Sequence, residues 1–367
     1  MSVVIDITRL RPEKVFVVPS PLTELGLALH ARSEPGHHPA LQGWATALSS
    51  RLDPGLADRL CEADFLWRTT FSDVFAPFAA VPGHAILPGA TLAEELDLLD
   101  QLSDEQFVHA ALEFSCQSSY EAGGPGALDD EGVRRRALEL AAARGGGREQ
   151  FARRLLADPP AVRDWFRRLV RDCEEAFFAD MWASIQPELA ADARHRTELL
   201  RRKGLAEVLA SVSHAVSVDE EARQITVDKL VEGHATVDDG GLVLVPTSLG
   251  RPHLMVLHRR GWRPAITYPV RGPGQQAPSV EQLTRRLEAL AHPVRIRLCR
   301  HLARAPYTTS ELADAHGMTA PEFSRHLGVL KKAGLISTRR RGRYAQHQLD
   351  LSAVARLGSD FIEGLLR

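Results

Sequence analysis

TTSELADAHGMTAPEFSRHLGVLKKAGLISTRRRGRYAQHQL, Thr308 to Leu349, reads as a helix, a tight turn, a second helix and a two-stranded wing. Thr308 with Glu311 three residues on is a capping box, which satisfies two orphan backbone donors at a helix start. The first helix carries Leu312 and Ala313 inward and runs to Gly317, a residue that tolerates positive φ. Thr319 with Glu322 caps the next helix, and Pro321 sits in its first turn, where a missing N–H costs little. Phe323, Leu327 and Leu330 recur at i, i+4 and i+7 and form one buried stripe. At about 100° per residue, Arg325 lies roughly 200° round from Phe323, with Gly328 and Lys332 on the same outer face. Gly334 ends the helix. Leu335 to Thr338 and Tyr344 to Leu349 are strand-like, and Arg339, Arg340, Arg341 and Arg343 form a basic hairpin tip turning at Gly342.

Each piece alone is ordinary. Capped helix pairs occur in any helical protein, and an arginine run is usually a solvated loop. The conjunction is much rarer. A short helix pair, Ser-Arg-His on the outer part of the second helix, Gly-Leu and then a basic hairpin together predict a DNA-binding winged helix.

The same region resembles a known family. LEALAHPVRIRLCRHL, Leu287 to Leu302, is similar to the leader helices of ArsR-type winged-helix repressors. SRHLGVLKKAGLI (Ser324 to Ile336) is similar to their recognition helix and its exit, and GRYAQHQL (Gly342 to Leu349) to their second wing strand. The resemblance covers Ser279 to Arg367 and implies a dimeric, DNA-binding transcription factor. One departure matters. Where metal-sensing members carry Cys-x-Cys before Glu-Leu, this chain has Thr308, Thr309 and Ser310, whose hydroxyls are poor ligands for soft metals.

The chain has 367 residues, enough for two or three domains, and its 44% hydrophobic and 25% charged content is that of an ordinary globular protein. No run of 18 apolar residues predicts a membrane span, and the N-terminus has no signal-peptide pattern. Cys61, Cys116, Cys173 and Cys299 lie far apart within helical patterns, so reduced thiols in the cytoplasm are expected. The net charge of −2 hides an asymmetry: from Ser279 on there are 15 basic and 8 acidic residues (+7), leaving 30 and 39 (−9) before it. A basic end on an acidic body is the footprint of a nucleic-acid-binding module joined to a different domain.

In the body, Val3–Ile7 and Lys14–Val18 read as strands. Helices are predicted from Pro21 to Ala31, twice between Pro39 and Phe71, and in two pieces from Thr91 to Cys116 broken at Ser103. Two long helices follow, Ala161 to Gln186 and Arg194 to His214. The first carries an aromatic stripe of Trp165, Phe177, Phe178 and Trp182, read as core packing ahead of a ligand cavity. Phe71 to Gly89 reads as packed turns and Ser118 to Asp130 as a surface loop. His37 and His38 sit in a loop, but spacing places no third ligand beside them, so no metal site is assigned. From Gln224 the chain turns β-rich, predicting hairpins of a small antiparallel sheet to which Val3–Ile7 could add.

The fold class is therefore α+β: a mostly helical body over residues 1–270 with a small antiparallel sheet, a linker over 271–278, and a winged helix-turn-helix over 279–367. The long body before such a C-terminal module resembles a group of large actinobacterial regulators whose body domain has no assigned function. At about 3.3 Å per extended residue the linker RGPGQQAP reaches no more than roughly 26 Å, so body and DNA module stay close enough to couple.

The function expected is a transcriptional regulator, a homodimer on palindromic double-stranded operator DNA, its body sensing a small-molecule effector or supporting dimerisation. An enzyme of unknown reaction with a DNA-binding tail is the alternative. Against it, His84, His109 and His214 are scattered with no spacing that selects a reaction, and neither a catalytic set nor a cofactor site is readable. Lys332, Arg339, Arg340, Arg341 and Arg343 are assigned to phosphates. Arg325, helped by Ser324, is assigned to a guanine edge. Thr319, Gly328 and Glu322 complete the surface, with Glu322 either completing the cap or accepting from a cytosine amino group. Dimer contacts are expected from Val280, Leu283, Leu287 and Leu290 with Leu351, Val354, Leu357, Phe361 and Leu365.

Overall fold

The computed structural model describes residues 2–68, 71–80, 86–116, 126–229, 232–259, 261–270, 279–316, 319–341 and 344–365. The expected linker 271–278, His84, Gly317, Gly342, Arg343 and most of the expected surface loop lie outside these residues. The chain divides into two compact units, Met1–Gly274 and Gln275–Leu366. The protein is α+β. Among the described residues no helix is long and apolar enough to cross a membrane.

Unit 1 is built around helix α1, Pro21–Ser33, whose residues from Pro21 to Ala31 are all buried. A helix buried all round must be enclosed on every side, and its polar residues Thr23, Glu24 and His30 must find partners there. The unit's other helices include α2 (Gln42–Arg51), α3 (Pro54–Glu62), α4 (Leu92–Asp100), α5 (Asp104–Cys116), α6 (Glu131–Ala143), α7 (Gly146–Ala157) and α8 (Pro159–Cys173), of which α2 and α4 pack directly on α1. Between α4 and α5, Ser103 and Gln106 exchange backbone-to-side-chain bonds of 2.9 and 3.2 Å, the expected capping box. The predicted packed turns are two short 3-10 segments with Val74, Phe75 and Phe78 buried. The aromatic stripe is core: Phe178 is buried, stacks on Trp182 and joins the same cluster as Trp165 and Phe177.

Two helix boundaries differ from expectation. From α8 the chain passes through one π-helical segment, Glu174–Phe178, into α9, Ala179–Lys203, which runs straight through Pro187. Pro187 is exposed, so the carbonyl it leaves unbonded can face water and the kink penalty is softened. The predicted helix Arg194–His214 is two helices, because Gly204 at φ +85° stops α9 before α10, Leu205–Val212. Val208 and Leu209 remain fully buried, so the apolar period continued across a break in the backbone.

The body's β structure is also a correction. It is not one small antiparallel sheet but two mixed four-stranded sheets. Their strands are β1 (Ser2–Asp6), β2 (Val15–Val17), β3 (Val216–Asp219), β4 (Gln224–Asp228), β5 (Gly233–Thr236), β6 (Leu242–Thr247), β7 (Met255–Leu257) and β8 (Ala265–Pro269). One sheet has the order β3-β4-β1-β5, with β1 antiparallel to β4 and parallel to β5. The other has the order β2-β6-β8-β7, parallel except for β7. All of β6 and β8 is buried, as parallel strands covered on both faces require.

Two buried carboxyls lock α1 into this frame. Glu24 accepts from the Ser248 and Leu249 N–H groups at 2.9 and 2.8 Å and from the Thr247 hydroxyl. Glu95 accepts from the Leu22 N–H at 2.7 Å and the Ser20 hydroxyl at 2.9 Å. Burial pushes the Glu95 carboxyl up to about 8 against the pull of those donors. The folded state then holds this proton where the unfolded chain, at 4.5, has lost it. The stabilisation is full below pH 4.5 and is lost as pH rises through about 8. Thermal denaturation should therefore show the stability of the wild type relative to Glu95→Gln falling from pH 5 to pH 8 and levelling above. A flat or rising difference contradicts it.

Unit 2 comprises α11 (Val280–Leu290), α12 (Pro293–Leu302), β9 (Tyr307–Thr308), α13 (Thr309–His316), α14 (Ala320–Lys332), β10 (Ile336–Arg341), β11 (Tyr344–Leu349), α15 (Leu351–Ala355) and α16 (Leu357–Leu365). The AHPVR segment has a direct mechanical reading. His292 Nδ1 accepts from the Val294 N–H at 3.2 Å and caps α12, while Arg295 donates to the carbonyls of Ala289 (2.5 Å) and Glu288 (2.9 Å) at the end of α11. The core is Leu298, Leu302, Leu312, Phe323, Leu327, Leu330, Leu335 and their neighbours.

Candidate nucleic-acid interface

The helix pair is set by its caps. Thr308 donates from its N–H (2.6 Å) and hydroxyl (2.8 Å) to Glu311, whose N–H returns a bond of 3.3 Å. Thr319 and Glu322 form the second capping box, with bonds of 3.2 and 2.9 Å to the carboxylate. The Thr319 donors hold the half-buried Glu322 carboxyl below the usual range, so it is ionised and engaged at the cap. Phe323, Leu327 and Leu330 are buried, as their spacing requires. Burying one such side chain is worth roughly 1.5–3 kcal/mol, so the rotation of α14 about its axis is fixed by three of them. Ser324, Arg325 and Lys332 are then necessarily exposed, and Gly328 has open space where a side chain would stand.

Gly334, at φ +68°, closes α14. The Leu335 N–H reaches back to the Leu330 carbonyl at 3.0 Å and that of Gly334 to Lys331 at 3.0 Å, satisfying helix-end acceptors. The wing follows at once. β10 and β11 pair antiparallel from Ile336↔Leu349 to Arg341↔Tyr344, and β11 also pairs with β9. His347 ties wing to helix, with Nδ1 3.0 Å from the Thr338 hydroxyl and Nε2 3.3 Å from that of Thr309. Arg339 and Arg340 are both exposed, and as strand neighbours they leave the ribbon on opposite faces. Arg341 ends β10, and Arg343 lies outside the described residues.

Residues 1–274 match DUF5937, a family of unknown function. The chain belongs to that family. Beyond this DUF5937 region, residues 290–339 match a helix-turn-helix domain, and the C-terminal unit is of the ArsR type. The chain is 40% identical over 84 residues to the HTH-type transcriptional repressor SmtB of Mycobacterium tuberculosis, covering 21% of this chain and 62% of that protein. It is 37% identical over 71 residues to the biofilm growth-associated repressor of Agrobacterium fabrum, covering 19% of this chain and 61% of that one. The chain thus spans about three-fifths of the length of these relatives. A solved ArsR family transcriptional regulator is 32% identical, with 23% of this chain and 88% of that chain covered and a TM-score of 0.21.

Of the two hydroxyls at the positions where metal-sensing members carry thiols, that of Thr308 is already used in its cap, and the intervening Thr309 lies beside His347. Thr308→Ala with Ser310→Ala should cost about 1 kcal/mol of stability through removal of the cap and leave any response of DNA binding to zinc unchanged. Denaturation and zinc-dependent gel shifts check this; a zinc response abolished by the pair would overturn it.

Sequence reasoning missed one feature. It left His37 and His38 without further ligands, whereas the fold brings His30 and His253 against them. His253 stands 223 positions from His30, and no spacing rule reaches that far.

Proposed function

We propose that this protein is a transcriptional repressor that binds operator DNA as a homodimer, with the DUF5937 unit regulating the winged helix. The observation that carries the reading is the outer face of α14. Three buried side chains turn Ser324, Arg325 and Lys332 outward on one helix, next to a basic two-stranded ribbon. A major groove admits such a helix, and an arginine fork suits the O6 and N7 acceptors of guanine. Arg339 and Arg340 meet phosphate or the minor groove beside it. Glu322 is assigned to the cap, since both Thr319 donors already occupy its carboxylate.

Dimerisation is supported by where apolar surface remains. Among the described residues the exposed large hydrophobics all lie in unit 2: Val280, Leu287, Ile296, Val329, Leu351, Phe361 and Leu365. Five of these belong to the predicted stripes of α11, α15 and α16. Leu283 does not serve there. It is buried within the protomer, where its side chain abuts Gly364 of α16. Arg286 and Asp360 pair at 2.7 Å and hold the same two helices together.

The test is selection from a random double-stranded DNA library by the full-length chain, followed by footprinting. A two-armed, roughly palindromic motif, its arms about one helical turn or a multiple apart, is the expected result. Equal affinity for selected and random DNA at physiological salt would sink the proposal.

A further inference from the structure

Four histidine rings meet at one corner of unit 1. His30 comes from α1, His37 and His38 from the loop that follows it, and His253 from the connection between β6 and β7. Ring centroids lie 4.8 Å apart for His30 and His253, 5.1 Å for His30 and His38, 5.2 Å for His38 and His253, and 5.6 Å from His37 to both His30 and His253. One nitrogen from each of His30, His37 and His253 falls within 4.8 Å of the others.

The hydrogen bonds show which way the rings are prepared. His30 Nδ1 is 2.7 Å from the Trp67 carbonyl, so it carries the proton. Its Nε2 therefore presents a lone pair, and that atom lies 3.1 Å from His253 Nε2. A ring whose Nδ1–H is held by a backbone carbonyl while Nε2 faces a cluster of donors is the orientation that metal-ligating histidines adopt. His38 supplies an independent observation. It is only 2% exposed, and neither ring nitrogen makes a hydrogen bond of good geometry, the Arg251 backbone being a polar neighbour. His37 Nδ1 is likewise buried and unmatched. A buried polar atom without a partner destabilises a fold, and a satisfied core histidine does not account for the unmatched nitrogens of His37 and His38.

We propose that His30, His37 and His253, with His38 beside them, bind one divalent transition-metal ion, zinc or a borderline neighbour such as nickel or cobalt. The donor set selects the class. It contains no thiolate for a soft monovalent ion and no carboxylate for magnesium or calcium, whereas imidazole suits the borderline metals. The size is close to right. Zinc–nitrogen bonds of about 2.0–2.1 Å set the edge of a tetrahedral site at roughly 3.4 Å. The His30–His253 pair is already near that edge at 3.1 Å. His37 and His38 follow the last turn of α1 in a loop, where small rotations can close the remaining gaps. A bound ion would tie the end of α1 to the β6–β7 connection.

The test uses the untagged full-length chain, stripped with chelator and titrated with zinc, then with cobalt as a visible-absorbing probe. Uptake of one equivalent is expected, with cobalt bands of a four-coordinate site and a Tm that rises until that equivalent is bound. His37→Ala and His253→Ala remove half-buried rings, so the fold should survive by circular dichroism while zinc affinity falls at least tenfold. His195→Ala, at an exposed histidine elsewhere, should change nothing. Absence of stoichiometric uptake by the folded wild type, or wild-type affinity in folded His253→Ala, overturns the proposal. Neither readout involves DNA, so the inference stands or falls separately from the operator-binding proposal.

Discussion

Replacing Arg325 by alanine should cost about 1–3 kcal/mol per half-site on operator DNA while leaving the fold and random-DNA binding nearly untouched. The reason is local. Arg325 is exposed on the face opposite Phe323, Leu327 and Leu330, so its removal opens no cavity. If its fork bonds one guanine edge, discrimination should relax at that single base position, in both arms of the site. Replacing Arg339, Arg340, Arg341 and Arg343 together should behave differently. Operator and random DNA should weaken alike, and the dependence of log affinity on log salt should flatten by about one unit for each phosphate no longer neutralised. Affinities for both DNAs at several salt concentrations separate the two patterns. Should Arg325→Ala weaken all sequences equally, this residue reads no base, and the assignment of α14 as the reading helix through Arg325 fails.

A larger effect is expected from the proposed dimer face. Phe361 and Leu365 are 41% and 58% exposed in the single chain, one helical turn apart on α16. Charges placed there cost the monomer little but would be buried without partners in a dimer. Phe361→Glu with Leu365→Glu should therefore give a monomer in analytical ultracentrifugation. Two half-sites engaged together gain about 10²–10⁴ over one, so operator affinity should fall by about 100-fold or more, with random DNA much less affected. A double variant that sediments as a dimer and binds the operator within about twofold of wild type rules out this face.

These two predictions rest on parts of the chain that were legible very unequally. The winged helix was readable because what fixes it is local. Its caps link residues three apart, Thr308 to Glu311 and Thr319 to Glu322. Its buried stripe spans eight residues, and Gly334 adopts the positive φ its place after the helix suggests. The apolar stripe of α11 was half readable. Its period marked Val280, Leu283 and Leu287 together, but only the packing of Leu283 against Gly364 and the Arg286–Asp360 pair turned Leu283 inward and left Val280 and Leu287 exposed.

The body shows where such reading stops. Periodicity marked VVIDI and LVLVP as strands, yet a strand's pattern reports which faces are apolar and carries no record of its neighbour. Val3 pairs with both Val227 and Gly233, and Val15 with Leu242, more than 200 positions away. The break at Gly204 escaped notice because inward residues continue on both sides of it, and one backbone angle leaves no trace in hydrophobicity. By itself the sequence determined the helix-turn-helix, its outward basic residues and the division of charge between the two ends of the chain. Tertiary structure alone decided the mixed sheets, the burial of Glu24 and Glu95, and the meeting of His30, His37, His38 and His253. Local hydrogen bonds and side-chain periods are written within a few residues. Pairings between residues some two hundred positions apart exist only once burial has chosen which distant surfaces fit together.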